Sequence, residues 1–143
     1  MNAEVFIDTN VFLYAISDRP EEHLKTERAR QLLLNEAWGW SVQVAGEFFT
    51  TATSPKRQIQ LSHERAGEYV QIWLNFPTAS VTSSTVLKSL EIQRRFRVNY
   101  CDAAVIAAAL EIGCHTLYSE DLSHQQDYDG VKVVNPFLAV PSA

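Results

Sequence analysis

The sequence has few of the residues that mark a disulfide scaffold, a zinc site or a membrane span. It contains two cysteines, Cys101 and Cys114, whose spacing fits neither a CxxC zinc motif nor a disulfide framework. Both are expected to be small core residues. The longest apolar run, residues 103–110, is too short to span a membrane, and nothing after Met1 resembles a signal peptide. We therefore expect a soluble, cytoplasmic protein with no membrane partner.

Positive charge is also scarce. The chain has 12 Lys and Arg against 17 Asp and Glu, for a formal net charge of -5. This balance argues against a protein that coats nucleic acid through many phosphate contacts. It does not exclude a nuclease, because a bound divalent cation reverses the local sign of an acidic site. With 143 residues, 46% of them hydrophobic, and only 5 Gly and 5 Pro, residues 1–143 suit one compact domain.

Strand-like and helix-like segments alternate along the chain. Short β-prone runs are expected at residues 4–7, 38–42, 115–118 and 131–134, with a possible further strand at 79–81. Helices are expected from about residue 10 and at 21–37, 43–53, 62–75, 83–97 and 103–112. Expected N-caps are Ser62 and either Ser83 or Ser84, and Gly113 is expected to end the last helix in a left-handed conformation. This alternation predicts an α/β layered domain around a mostly parallel sheet.

Four acidic residues stand where such a sheet would bring them to one edge. Asp8 follows the first strand and Asp121 follows the fourth, while Glu47 lies one turn into the helix after the second strand. Asp102 opens the helix that leads into the fourth strand. Carboxylates brought together repel each other and have raised pKa values, so the cluster calls for a cation. Oxygen ligands favour magnesium or manganese over zinc.

Each acid also has an ordinary structural explanation, which the residues alone leave open. Asp8 could end a strand, and Asp121 could be a turn residue. Asp102 could be only a helix N-cap, which would stabilise its helix by roughly 1 kcal/mol. Glu47 could be a solvated residue on an amphipathic helix. A shared site requires the four side chains to meet in space.

Four segments resemble the PIN-domain nucleases, in particular the VapC-type toxins of bacterial and archaeal toxin–antitoxin modules. They are FIDTNVFLYA at residues 6–15, QVAGEFF at 43–49, NYCDAAVIAAA at 99–109 and LYSEDL at 117–122. They occur in the family's order, cover almost the whole chain and are followed by the NPF sequence at 135–137 that these toxins often have. The resemblance implies a PIN-like three-layer α/β/α fold with a central, mostly parallel sheet of about four to five strands.

The resemblance also implies roles for individual residues. It places the catalytic, metal-binding acids at Asp8, Glu47, Asp102 and Asp121, and supporting polar residues at Asn10, Ser119 and Thr9. It implies an endoribonuclease that uses Mg²⁺ (or Mn²⁺), is inhibited by a cognate antitoxin and is usually a homodimer. Glu120 leaves open which of two adjacent acids faces the metal. Cys101 replaces a common large aromatic and Ser119 a more usual threonine, but neither departure removes a carboxylate.

Two basic clusters are possible RNA-binding residues. They are Arg94, Arg95 and Arg97, shortly before Asp102, and Lys56 and Arg57, after the Glu47 helix. Both clusters could equally be solvated helix ends, where the helix dipole favours cations.

Two other functions are compatible with parts of the sequence. A phosphatase that forms an aspartyl-phosphate uses an Asp-x-Asp pair after the first strand, but here Asp8 is followed by Thr9 and Asn10. A non-catalytic interaction module could keep the PIN fold and bind a partner or RNA. Such a module would have no reason to keep four mutually repelling acids.

Overall fold

The computed structural model describes residues 2–140, which form six strands and six α-helices. The strands are β1 (Val5–Ile7), β2 (Trp38–Ser41), β3 (Thr78–Ala79), β4 (Thr116–Tyr118), β5 (Asp127–Tyr128) and β6 (Val131–Val134). The helices are α1 (Thr9–Ala15), α2 (His23–Asn35), α3 (Val42–Ala52), α4 (His63–Trp73), α5 (Ser83–Phe96) and α6 (Tyr100–Glu111). A short 3-10 turn, Pro20–Glu22, precedes α2.

The strands form one sheet in the order β3-β2-β1-β4-β6-β5. Every neighbouring pair is parallel except β5 with β6. All three residues of β1 are buried, as expected for a central parallel strand that is covered on both faces. The strands β1 and β4 end next to each other, since the Asp8 N–H donates to the Tyr118 carbonyl at 3.1 Å. The residues that follow these two strands therefore meet at one edge of the sheet.

The helices pack in two groups, which gives the three-layer α/β/α arrangement predicted from the sequence. In one group α1 contacts α2 and α3, and α3 contacts α4. In the other α5 contacts α6, which lies against β2, β3, β4 and β6. Residues 103–109 of α6 are all buried, and most of them are alanine. Their small side chains allow this helix to pack closely between α5 and the sheet. Within residues 2–140, none of the helices is both long and apolar enough to cross a membrane.

An aromatic cluster fixes α1 relative to α3. Phe12 in α1 and Phe48 in α3 both contact Trp73, with ring centroids 4.9 and 5.1 Å from it. Phe12 also packs on Trp38 and Trp40 of β2. These rings are buried, so the tryptophans belong to the core. The cluster holds rigidly the two helices that follow β1 and β2.

Two helix starts differ from the sequence prediction. The N-cap of α5 is Thr82 rather than Ser83 or Ser84, because its hydroxyl accepts the Thr85 N–H and the Thr85 hydroxyl in turn accepts the Thr82 backbone N–H. The α6 helix begins at Tyr100, with Asn99 as its N-cap, and not at residue 103. Ser62 caps α4 as predicted, and Gly113 after α6 has the predicted positive φ, 76°.

The sheet has six strands in the described part of the chain, against the four to five predicted. The additional strand is β5, which runs antiparallel to β6 across a turn that contains Asp129 and Gly130, both with positive φ. Its two residues are too few to produce an alternating pattern of polar and apolar residues. The possible strand at residues 79–81 exists one residue earlier, as β3.

Candidate active site

A cavity of about 600 Å³ opens at the sheet edge where β1 and β4 end. All four acids singled out in the sequence, Asp8, Glu47, Asp102 and Asp121, line it. The rest of the lining comes mainly from α1, α3 and α6 and includes Thr9, Asn10, Leu13, Gln43, Gly46, Cys101 and Val105. The fold thus brings together four carboxylates that are far apart in the chain.

Asp8 is the most enclosed of the four acids, with 6% of its surface exposed. Its Oδ1 accepts the Thr9 N–H at 2.8 Å and caps α1, and its Oδ2 accepts the Ser119 hydroxyl at 2.9 Å. Burial raises the pKa of Asp8 to about 6, although both hydrogen bonds lower it. The negative charges of Asp121 and Glu47 raise it further. Desolvation therefore outweighs the hydrogen bonds that favour the charged form.

Glu47 connects α3 with the start of α1. Its Oε2 accepts the Thr9 hydroxyl at 2.9 Å, and its Oε1 accepts the Gln43 side-chain amide at 3.0 Å. The sequence prediction included Thr9 as a supporting residue but missed Gln43. The spacing could have shown it, since residues four apart on a helix are neighbours on its surface.

Asp102 lies in the first turn of α6 and is held by the residue that begins the helix. The Asn99 Oδ1 accepts the Asp102 N–H at 2.8 Å, and the Asn99 Nδ2 donates to the Asp102 Oδ2 at 3.0 Å. Burial raises the pKa of Asp102, and the charges of Asp121 and Glu47 add to the rise. Asn99 was not predicted as a site residue, although an Asn three residues before an Asp is the spacing of an N-cap and its N3 residue.

Asp121 is hydrogen-bonded to two of the predicted supporting residues, Asn10 and Ser119. The Asn10 Nδ2 lies 3.3 and 3.2 Å from the two Asp121 carboxylate oxygens, and the Asp121 N–H donates to the Ser119 Oγ at 3.2 Å. Ser119 donates in turn to Asp8, so one hydroxyl connects the chain after β4 to the chain after β1. Burial raises the pKa of Asp121, followed by the charge of the neighbouring Glu120.

Glu120 is held away from the cavity. Its Oε1 accepts the Tyr14 hydroxyl at 2.8 Å, and its Oε2 lies 3.6 Å from the Lys25 Nζ. The same Lys25 ammonium donates to the Tyr14 oxygen at 3.2 Å. Asp121 lines the cavity and Glu120 does not. Of the two adjacent acids, Asp121 is therefore the one available to a ligand.

The donors around the four carboxylates are all neutral. Within the part of the chain that the structure describes, ion pairs involve other residues and none involves Asp8, Glu47, Asp102 or Asp121. Hydroxyl and amide groups orient the oxygens without cancelling their charge. The cavity consequently has a strong negative potential that a cation would neutralise.

The donor chemistry of the cavity fits Mg²⁺ or Mn²⁺ and does not fit zinc. Among residues 2–140, its lining offers four carboxylates, a single cysteine and no histidine, whereas a zinc site favours several Cys and His ligands. Over residues 2–140, no three His, Cys, Asp or Glu side chains are drawn together tightly enough to hold a metal directly. Mg²⁺ usually keeps several waters and is bound through one or two carboxylates, so this looser arrangement is compatible with it.

Cys101 does not belong to the core, contrary to the sequence prediction. It is exposed and lines the carboxylate cavity, because α6 starts before it and turns it outward in the first turn. Cys114 is buried as predicted, and burial raises the pKa of its thiol to about 12.

The predicted basic residues lie outside the carboxylate cavity. Arg94, Arg95 and Arg97 are exposed near the end of α5, and none of them lines the cavity. Arg95 pairs with Asp129 at 3.5 Å and, more loosely, with Glu91 at 3.9 Å. Lys56 is exposed and Arg57 lines a smaller neighbouring pocket.

One family model and several solved structures are similar to this chain. A family model described as PIN domain matches residues 5–130. No curated protein matches the chain. A solved toxin-antitoxin complex from Klebsiella pneumoniae is similar at 16% identity and TM-score 0.69, over 93% of this chain and 98% of that chain.

Two further solved structures share the fold. VapC20 of Mycobacterium tuberculosis, a sarcin-ricin loop cleaving toxin, is 19% identical with TM-score 0.65, over 82% of this chain and 90% of that one. DNA-bound VapBC from Salmonella typhimurium is 18% identical with TM-score 0.64, over 92% and 96% of the two chains. At such identities the likeness establishes the common fold.

Proposed function

The chain belongs to the PIN-domain family, and on that premise we propose that it is a Mg²⁺- or Mn²⁺-dependent endoribonuclease, the toxin of a toxin–antitoxin pair. The observation that supports this function most is the cavity in which Asp8, Glu47, Asp102 and Asp121 meet without a cationic partner. A phosphodiester would be repelled from this cavity if the carboxylates were left alone. The site therefore needs a cation before it can accept RNA.

The four carboxylates are the proposed metal-binding and catalytic residues. A bound Mg²⁺ or Mn²⁺ would supply an activated water and would stabilise the charge that develops on the phosphate. Asp8, Asp102, Asp121 and Glu47 would hold the ion together, one or two of them directly and the others through its bound waters. Ser119, Asn10 and Thr9 hold these side chains in place by hydrogen bonds to Asp8, Asp121 and Glu47, respectively. Water would attack phosphorus directly, without a protein nucleophile, as the bond from phosphorus to one ribose oxygen breaks and that oxygen leaves as a hydroxyl after taking up a proton.

The contacts of Asn10 and the burial of Asp8 favour phosphodiester hydrolysis over the phosphatase and the interaction module. Asn10, which stands where a phosphatase of the aspartyl-phosphate type has its second acid, donates its amide to Asp121. It therefore offers no carboxyl proton to a leaving group. An interaction module would gain nothing from burying Asp8 beside other acids, because that burial raises its pKa and destabilises the charged form.

The same proposal implies two protein partners, an antitoxin and a second copy of this chain. The cognate antitoxin would place a basic side chain against the carboxylates and close the cavity to RNA. The chain is also proposed to form a homodimer in the cytoplasm, and the exposed Leu87 and Leu90 of α5 offer apolar surface for it. Copurification with a small protein encoded by the neighbouring gene would support the pairing. Harmless expression of the chain alone, without such a partner, would contradict the toxin role and leave the nuclease role standing.

Brief induction in the host, followed by sequencing of RNA ends, tests the proposed activity in cells. We expect new ends at a restricted set of positions, because RNA loops and single strands are recognised by their shape and few of them would fit this cavity. The same ends should be missing when the Asp102→Asn variant is induced at equal level. An identical pattern of ends in both strains would contradict the proposal.

Asn99 provides a prediction that separates helix capping from carboxylate orientation. Asn99→Ser keeps an N-cap oxygen but removes the amide that donates to Asp102, so we expect near-normal thermal stability and Mn²⁺ affinity lowered about 10-fold. Asn99→Ala loses both functions and is expected to be less stable by about 1 kcal/mol as well. Calorimetric titration with Mn²⁺ and thermal unfolding measure the two effects. A Ser variant that binds Mn²⁺ as tightly as the wild type would show that the amide does not orient Asp102.

A further inference from the structure

A second pocket, of about 180 Å³, adjoins the carboxylate cavity. The two share Asn10 and Leu13 in their walls. The smaller one, named here the Arg57 pocket, is lined by Asn10, Leu13, Tyr14, Arg19, Glu22, Arg57 and Gln58. The carboxylates of the larger cavity and the two guanidinium groups of the Arg57 pocket therefore lie on either side of Asn10 and Leu13.

The two guanidinium groups in the Arg57 pocket are not equally available to a ligand. Arg19 is engaged by Glu21 at 2.6 Å and lies 3.6 Å from Glu22. Arg57 donates one N–H to the Ile59 carbonyl at 2.6 Å. It forms no ion pair with any carboxylate in residues 2–140. Of the two arginines in this pocket, Arg57 is therefore the one that no carboxylate of residues 2–140 contacts directly.

The surroundings of Arg57 favour a bound anion. Arg57 is half-buried, and this burial lowers the pKa of its guanidinium. The charge of Arg19 also lowers that pKa, whereas Glu22 and Asp18 raise it. An arginine stays protonated at neutral pH in spite of such shifts. A partly desolvated cation is left at the pocket, and a phosphate oxygen would stabilise it.

We propose that the Arg57 pocket binds the backbone phosphate next to the one that is cleaved, with Arg57 as the residue that holds it. This inference rests on the proposed nuclease function. RNA with its scissile phosphate at the carboxylates would pass over Asn10 and Leu13, and the fork of the Arg57 guanidinium matches two phosphate oxygens. The basic residues of α5 line neither pocket, and Arg95 is already paired with Asp129. The substrate strand therefore leaves the site over α1.

The test measures RNA binding and its dependence on salt. The probe is a fluorescein-labelled pool of single-stranded RNA 12-mers of random sequence with phosphorothioate linkages that resist cleavage, and binding is followed by anisotropy with Mn²⁺ in the protein that keeps all four carboxylates. Adding Arg57→Gln should weaken binding about 10-fold, as expected for one charged hydrogen-bonded contact. It should also reduce the slope of log K against log[salt] by about 0.7, the value for one phosphate on a single strand.

Two further variants identify the cause of any loss. Arg65→Gln removes an equal charge from the exposed face of α4, outside both pockets, and should leave affinity and slope almost unchanged. Arg57→Lys keeps the charge without the fork, so it should keep the slope and lose part of the affinity. A Lys variant that loses the slope as fully as the Gln variant would indicate a disturbed loop and overturn the assignment.

The remaining outcomes distinguish this inference from the function on which it rests. Equal losses in Arg57→Gln and Arg65→Gln, or no loss in either, would overturn the Arg57 pocket while the nuclease proposal stands. The same protein is assayed in parallel for cleavage of total host RNA, which has ordinary phosphodiester linkages, with Mn²⁺. Absence of cleavage there would contradict the nuclease proposal itself, and the inference with it.

Discussion

Replacement of Asp8 by asparagine is expected to abolish RNA cleavage and, in the metal-free protein at pH 7.5, to increase stability. The loss of activity should be roughly 100-fold or more, since even residues that only support metal ligands typically contribute 10–100-fold. The gain in stability comes from the buried charge. The asparagine side chain in the Asp8→Asn variant would still accept the Thr9 N–H and cap α1, so the substitution removes the charge without removing the cap.

The size and pH dependence of this gain follow from the pKa of Asp8. Burial raises it from 3.8 to about 6, and a rise of about two pH units corresponds to about 3 kcal/mol. A carboxyl whose pKa is higher in the folded than in the unfolded state favours folding while it is protonated. Its contribution is complete below about pH 4 and is lost as the pH rises through about 6. The wild type should therefore lose stability over this interval, and Asp8→Asn should lose clearly less, because only the raised pKa values of Asp102 and Asp121 remain.

Urea unfolding in EDTA at pH 4, 5, 6 and 7.5 measures this difference. Glu68→Gln is the matched control, because it removes a carboxylate from an exposed position of α4 that lines neither pocket. Its stability should follow the wild-type pH profile, and its cleavage should be normal. Wild-type stability that stays flat between pH 4 and 7.5, or full cleavage by Asp8→Asn, would contradict the assigned role of Asp8.

Addition of Mn²⁺ at pH 7.5 is expected to stabilise the wild type strongly. An ion that binds only the folded state contributes about 2.7 kcal/mol at a concentration 100 times its Kd. The pKa values of Asp8, Asp102 and Asp121 are all raised by burial and by neighbouring acids, so the metal-free site is unfavourable and a cation relieves it. The effect should shrink at pH 5, because protons compete with the metal for these carboxylates.

Thermal unfolding with and without Mn²⁺ checks this second prediction. Asp102→Asn should show a much smaller shift than the wild type, whereas Glu68→Gln should show the full shift. Equal stabilisation of the wild type and Asp102→Asn would mean that Mn²⁺ binds somewhere other than the carboxylate cavity.

The meeting of the four acids could be predicted because it depends on backbone topology. Asp8 and Asp121 follow parallel neighbouring strands, and Glu47 lies in the helix that follows the next strand of the same sheet. Buried apolar runs reveal such strands in the sequence, and the carboxyl ends of parallel strands meet wherever the sheet forms. Position along the chain therefore predicted position in space.

The contacts around the acids could not be predicted in the same way. Glu120 and Asp121 are adjacent acids, and only the packing of Tyr14 and Lys25 beside Glu120 decides which one faces the cavity. Asn99 and Asp102 are both good N-cap residues three positions apart, so propensity alone does not choose between them. The choice of Asn99 moves the start of α6, and it also turns Cys101 into the cavity.

Cleavage of single-stranded RNA by the purified protein, in Mn²⁺ and then in EDTA, tests the metal-dependent site most directly. We expect cleavage in Mn²⁺, its loss in EDTA, its return when Mn²⁺ is restored, and none at any stage with Asp121→Asn. Cleavage that continues in EDTA, or that Asp121→Asn performs as well as the wild type, would contradict the assignment of the carboxylate cavity as a metal-dependent nuclease site.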